Sequence, residues 1–325
     1  MNKTFSIDCM GGDYGPQVVL DAAFHTLKEF KDLNLIFFLD KESKVSLDNL
    51  RIFSDRFEIR RCEKFLKADD SLLSMLKNAK FSTMKAALQS VSDKESSAVF
   101  TVGHTGPYFI LAKKILGFIK GVNRIPLAVM IPSSNGSKVL TDIGANLECS
   151  ATDLYKFGLL GKEFIKSVLS IDNPGISLIN VGHEENKGTE ELRNSASLFR
   201  KKIGNDFKGF IDADKIFTCE ADVIVTDGFS GNCISKACEG TSRFIMSKFN
   251  KYWIVRKLIS LFSDSADRYN GAVLLGINGL SIKAHGSSKE PSLVNALRTT
   301  YRFASKADLL MKNLNSIDFE SNELQ

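Results

Sequence analysis

The chain has 325 residues, 43% hydrophobic and 25% charged, enough for a large core in about two domains or one large α/β unit. Its net charge of +5 is mild, its basic residues are dispersed and no DNA- or RNA-binding motif is present, which argues against a nucleic-acid partner. The six cysteines, at positions 9, 62, 149, 219, 233 and 238, form no Cys-x-x-Cys pair and read as buried reduced thiols of a cytoplasmic protein.

The first residues lead directly into a strand-like run, with no sign of a signal peptide. No uncharged stretch reaches 18 residues, so no membrane span is expected. Residues 5–8 read as a strand and 16–31 as a helix with proline in its first turn. A strand at 33–39 precedes a less regular region that runs to about residue 80. Helices are expected at 81–91 and 108–119, with a strand at 97–102 between them. Strands follow at 125–131 and 138–143, then helix 152–169, strand 176–181, helix 189–203 and strand 221–226. Long helical stretches continue to about residue 262, and a helical tail starts at 289. Apolar strands separated by helices predict a Rossmann-like, mostly parallel sheet with helices on both faces. No internal repeat or flexible linker is visible, and the chain reads as one catalytic α/β unit over 1–325, with a long helical protrusion at about 233–265.

Strand after strand runs into a glycine-bearing turn: "DCMGGD", "VGHTGP", "DIGAN", "NVGHEENKG", "TDGFSGN" and, later, "KAHGSS". Glycine lets backbone N–H groups approach a ligand and point at it. In a parallel sheet these turns emerge at the carboxyl ends of the strands, where α/β proteins bind ligands. The first strand would deliver Asp8 there, with the bare backbone of Gly11 and Gly12 beside it. The dinucleotide fingerprint, the phosphate-binding P-loop and the G-x-S-x-G nucleophile elbow are all absent. The four histidines, at 25, 104, 183 and 285, lack metal-ligand spacing. A cleft rich in N–H donors, asparagine and lysine suits a phosphate or a developing oxyanion rather than redox chemistry.

The motifs "IDCMGGDYGP", "GHTG", "DIGANLE", "NVGHEENKGTE", "ADVIVTDGFSGN" and "YNGAVLLGINGLSIKAHGSS" resemble, in order and spacing, those of the PlsX family of phosphate acyltransferases. The resemblance runs over essentially the whole chain. It implies an isocitrate dehydrogenase/phosphotransacetylase-like fold and transfer of a fatty acyl group from acyl carrier protein to inorganic phosphate, in phospholipid synthesis. It further implies a homodimer that needs no metal or other cofactor. It maps the family's catalytic lysine onto Lys187 and its asparagine onto Asn232. Lys187 would meet phosphate and transition-state charge; Asn232 would donate to the oxyanion or orient phosphate. His285 is the candidate proton donor to the leaving thiolate. Substrate and phosphate candidates are Asp8, Gly11, Gly12, Gly103, His104, Thr105, Gly106, Asp142, Asn146, Gly188, Asp227, Gly228, Ser230 and Gly231.

The chain departs from the family pattern at Cys9, His104, Pro107, His183 and Asn186, where alanine, asparagine, alanine, a smaller or acidic residue and lysine are usual. Two other readings remain open at this stage: a phosphate acetyl- or butyryltransferase using acyl-CoA, and an inactive carrier-protein or lipid-binding scaffold. Residues 243–263 hold five basic residues, no acid and many large apolar ones, among them Trp253, Ile254 and Phe262. Such a segment suits a membrane surface or a dimer interface. Peripheral association would bring the product to a membrane glycerol-phosphate acyltransferase.

Overall fold

The computed structural model describes residues 3–67, 81–134, 136–249 and 271–319. The chain divides into two compact units, one of Met1–Ile119 with Asn270–Lys312 and one of Lys120–Tyr269 with Asn313–Gln325.

In the first unit, the strands are β1 (Lys3–Asp8), β2 (Leu33–Asp40), β3 (Phe57–Cys62) and β4 (Ala98–Thr101). The helices α1 (Gln17–Glu29), α2 (Thr83–Ser92) and α3 (Thr105–Leu116) alternate with them. These four strands lie parallel in the order β3-β2-β1-β4. Alternation along β1 sends neighbouring side chains to opposite faces. The Phe5 ring meets Tyr301 at 6.4 Å, while the Ser6 hydroxyl donates to the carbonyl of Ala87 in α2 at 2.8 Å. Tyr301 belongs to α7 (Glu290–Ala304), which is followed by α8 (Ala307–Ser316), so this sheet carries helices on both faces.

The second unit contains β5 (Leu127–Ser133), β6 (Gly136–Thr141), β7 (Ile176–Ile179), β8 (Phe207–Ile211) and β9 (Val223–Val225). Its helices are α4 (Ala151–Leu169), α5 (Glu190–Ile203) and α6 (Gly228–Phe249). The strand order is β5-β6-β9-β7-β8, parallel except for the β5–β6 hairpin. Leu140, Ile179, Ile216 and Ile224 form the buried centre of one face, joined by Ile234 and Cys238 of α6. On the other face α4 packs without side chains at two points, against α5 and against β9. A Cβ on Gly158 would stand 2.5 Å from the Phe199 ring, and one on Gly161 2.7 Å from Val223.

The predicted strands and helices reappear within a few residues of their expected ends. Ser82 caps α2 by accepting the Lys85 N–H, and a full capping box of Ser150 and Asp153 starts α4. Four strands were missed. β3 and β8 are edge strands whose charges or glycine break the apolar alternation, as edges that avoid further pairing do. β10 (Ala272–Leu274) and β11 (Leu280–Lys283) form an antiparallel hairpin of three and four residues, and β11 pairs in parallel with β4. Of the expected helical protrusion, α6 is described to Phe249; the remainder, with Trp253, Ile254 and Phe262, lies outside the described residues.

The α4 contact makes a stability prediction. Gly158→Ala forces a methyl group into the Phe199 ring and should lower stability by about 1–3 kcal/mol, read as a lower urea midpoint at unchanged slope. Gly240→Ala, on α6 with nothing within 4 Å of the added carbon, should hold or raise the midpoint. Equal effects of the two substitutions would contradict the packing account.

Candidate functional site

The predicted residues fall into two groups, one on each unit. On the first unit they sit at the carboxyl ends of β1, β4 and β11. Asp8 ends β1 and is 1% exposed. Its Oδ2 accepts from the Thr101 hydroxyl at 2.8 Å, and the Thr101 oxygen accepts the Gly103 N–H at 2.9 Å. Asp8 therefore pins the "GHTG" turn through Thr101, a residue that the sequence reading passed over. The three loops then meet backbone to backbone. Gly11 has φ +89, and a Cβ there would lie 3.0 Å from the Gly103 Cα. Asp13 N–H donates to the Gly286 carbonyl at 2.9 Å.

His104 takes the N-cap position of α3 in an extended conformation, and its side chain makes no capping bond. Thr105 and Gly106 supply first-turn N–H groups that have no intrahelical acceptor. Pro107 occupies the third helical position, where an absent N–H loses no helical bond. The His285 ring accepts the Ser287 N–H at Nδ1, 3.2 Å away, and pairs with the Ser287 hydroxyl at 2.8 Å. That arrangement assigns the proton of a neutral ring to Nε2.

On the second unit, Asp142 follows β6 and is fully buried. Its Oδ1 accepts the N–H groups of Leu127, Gly144 and Ala145 at 3.0–3.1 Å. Its Oδ2 accepts from the backbone and side-chain nitrogens of Asn146 at 2.7 and 2.8 Å. Burial pushes the Asp142 carboxyl up, and these donors oppose the shift. Asn146 also donates to the Ile125 carbonyl, so Asp142 and Asn146 build the loop.

The N-terminus of α6 rests directly on this loop. Gly228 N–H donates to the Asn146 carbonyl at 2.7 Å, and a Cβ on Gly231 would come within 1.8 Å of the Asp142 carbonyl oxygen. Asp227 turns on itself, accepting the N–H and hydroxyl of Ser230 at 2.8 Å each. Asn232, next along the helix, is exposed and stands beside Gly144.

Lys187 sits on the loop after β7. Its ammonium meets Glu184 at 2.8 Å, an exposed pair of the kind that holds weakly in water. Glu185 pairs with Arg200, so both acids beside His183 are engaged. Asn180 anchors this loop and was not singled out from the sequence, although it opens the quoted "NVGHEENKG". Its side chain accepts the Val181 N–H at 2.8 Å and donates to the Lys187 carbonyl at 3.1 Å. Gly188 has φ +86, and a Cβ there would fall 2.2 Å from the Asn180 oxygen. Gly188, Asp227 and Ser230 border a cleft of about 1010 Å³. Cys149 also lines it, with a thiol pushed up to about 12, chiefly by burial and then by the neighbouring carboxylates.

Burial raises the Asp8 carboxyl from 3.8 to about 6, against the bonds it accepts. The folded state therefore holds this proton more tightly than the unfolded chain. The linked stabilisation is complete below pH 3.8 and is lost as pH rises through 6. Asp8→Asn cannot titrate. The stability of the wild type relative to Asp8→Asn should fall by about 3 kcal/mol from below pH 3.8 to above pH 6, measured by urea unfolding across that range. A pH-independent difference would contradict the assignment.

The family model described as "Fatty acid synthesis protein" matches residues 4–309. The phosphate acyltransferase of Methylococcus capsulatus is 33% identical over 319 residues, covering 94% of each chain. That of Vibrio parahaemolyticus is 36% identical over 310 residues, covering 90% of this chain and 91% of its own. Among solved structures, a branched-chain phosphotransacylase from Enterococcus faecalis superposes with a TM-score of 0.62 at 13% identity, over 93% of this chain and 99% of its own. A phosphotransacetylase from Streptococcus pyogenes does so with a TM-score of 0.60 at 14% identity, over 94% of each. At such identities these two structures bear on the fold alone, and they match the expected phosphotransacetylase-like α/β architecture.

Proposed function

This chain belongs to the fatty acid synthesis protein family of phosphate acyltransferases, and we propose that it moves a fatty acyl group from acyl carrier protein to inorganic phosphate. The products are acyl phosphate and the free thiol of the carrier. The observation that carries the reading is the glycine-bounded loop that bears Lys187 and brings the adjacent Gly188 to the edge of the cleft that Asp227 and Ser230 also border.

Phosphate is already anionic near neutral pH, and a thioester is an activated acyl donor. The site must hold the anion beside the carbonyl and stabilise the tetrahedral oxyanion. Lys187 exchanges Glu184 for phosphate. Asn232 donates to the oxyanion or orients phosphate. On the first unit, the first-turn N–H groups of Thr105 and Gly106, beside Gly103 and His104, are suited to an anion. His285 offers its Nε2–H as a hydrogen-bond donor to the leaving thiolate, and the imidazolium form gives up the proton that makes the free thiol. Asp8, Asp142 and Asn146 act by holding loops in place, Gly11 and Gly12 let the loops of the first unit approach one another, and Gly228 and Gly231 do the same within the second. Burial and the neighbouring carboxylates push the Cys149 thiol up, which disfavours a thiolate there.

The acetyl- or butyryl-CoA alternative has only the distant fold likeness on its side. The working form is proposed to be a homodimer at the cytoplasmic surface of the membrane, handing its product to a membrane glycerol-phosphate acyltransferase. Among the described residues no helix is long and apolar enough to cross a membrane. Phe244 and Ile245, 62% and 45% exposed near the end of α6, lie between Arg243 and Lys248 and support a peripheral contact.

Lys187→Met should leave the thermal transition in place and cut acyl phosphate formation at least a hundredfold, the scale of losing one preorganised charge-stabilising donor, about 3–4 kcal/mol. A folded Lys187→Met protein with near-normal turnover removes Lys187 from the mechanism.

A further inference from the structure

The cleft of about 1010 Å³ on the second unit reaches well past the three residues that border the proposed chemistry. It lies at the upper end of the roughly 300–1,000 Å³ typical of sites for small organic ligands, far more than phosphate needs. Helices α4, α5 and α6 all start on it, since Ser150, Thr189 and Asp227 are among its lining residues. A helix N-terminus ordinarily welcomes an anion. Here the chain has filled each one itself. The Ser150–Asp153 box closes α4, and Glu191 accepts the Ala151 N–H of the same turn. Thr189 accepts the Leu192 N–H at 3.3 Å on α5, and Asp227 accepts from Ser230 on α6.

Away from Gly188, Asp227 and Ser230 the lining therefore carries three carboxylates, those of Glu148, Asp153 and Glu191, against the single guanidinium of Arg124. Arg124 is itself engaged, 3.5 Å from Asp153 and donating to the Glu148 carbonyl. A second anion is unwelcome in this part of the cleft. Between the polar groups the wall is apolar. Leu154 and Ile179 are 2% and 9% exposed, and Leu192 is half-buried. At the rim stand Val181 and Leu147, 77% and 68% exposed. No large hydrophobic side chain among the described residues is more exposed than Val181. Two such side chains bordering one cleft mark a surface built to be covered.

We infer that this cleft binds the long aliphatic chain of the acyl donor, with Leu154, Ile179 and Leu192 as its wall and Leu147 and Val181 closing over it. The inference rests on the acyl-transfer reading and adds to it the place and residues that read chain length. An uncharged hydrocarbon gains from the apolar wall and is indifferent to the carboxylates. Each methylene moved from water onto such a wall strengthens binding by about fourfold.

The test is isothermal titration with non-hydrolysable thioether analogues of acyl-pantetheine, which lack phosphate, carrying a butyl or a hexadecyl chain. The wild type should bind the hexadecyl analogue at least about tenfold more tightly. Leu192→Trp, which fills the wall, and Val181→Asp, which charges the rim, should each reduce that preference to less than about threefold. Val181 is exposed, so its variant folds even where Leu192→Trp does not. An equal affinity for both chains in the wild type, or an unaltered preference in Val181→Asp, overturns the inference. A changed sedimenting mass in Val181→Asp with the preference intact assigns the rim to a second copy of this chain instead. If the preference behaves as expected but no acyl thioester yields acyl phosphate, the acyl cleft stands and the reading of the reaction falls.

Discussion

The carbonyl oxygen of Asp142 would lie 1.8 Å from any Cβ on residue 231, and the order of the second unit's loops follows from that contact. The first turn of α6 can sit there only because residue 231 has no side chain. The loop beneath it is held by the Asp142 carboxylate, which accepts five bonds from four residues. Burying that carboxylate is unfavourable, and only this full set of donors makes it tolerable. With the loop fixed, Asn232 is held beside Gly144 and Asp227 and Ser230 at the edge of the cleft. The first unit uses a smaller version of the same device, a buried Asp8 acting through Thr101 on Gly103. In both units a carboxylate at a strand end organises the backbone of the loops beside it.

Much of this was legible in the sequence because it depends on backbone chemistry. Glycine after an apolar run marks a turn at a strand end, and the turns carrying Gly11, Gly103, Gly188, Gly228 and Gly231 are found at such ends. Strongly apolar strands such as β2 and β4 were equally visible. The short or charged strands were not. β3, with Glu58, Arg60 and Arg61, has the composition of a loop and becomes a strand only by pairing with β2. The hairpin of β10 and β11 is too short for any period to show, although its residues stood inside a quoted motif.

The site shows the same division. Spacing singled out Asp8 and Asp142 but could not show that both face inward, because a strand-end carboxylate looks alike whether it serves a ligand or a loop. Thr101 and Asn180 were missed because their roles lie in a single hydrogen-bond geometry, and Thr and Asn at strand ends are common. The departures at His104 and Pro107 have a structural explanation. Residue 104 leaves its side chain out of the cap, and residue 107 sits where a helix has no need of an N–H. Neither change disturbs α3.

The most direct measurement follows phosphorus and thiol together when purified protein meets palmitoyl-acyl carrier protein and inorganic phosphate. The account predicts an acyl phosphate signal in the phosphorus spectrum that grows in step with free carrier thiol. Release of thiol with free palmitate and no acyl phosphate, or no reaction with the carrier thioester but turnover of a short acyl-CoA, would contradict it.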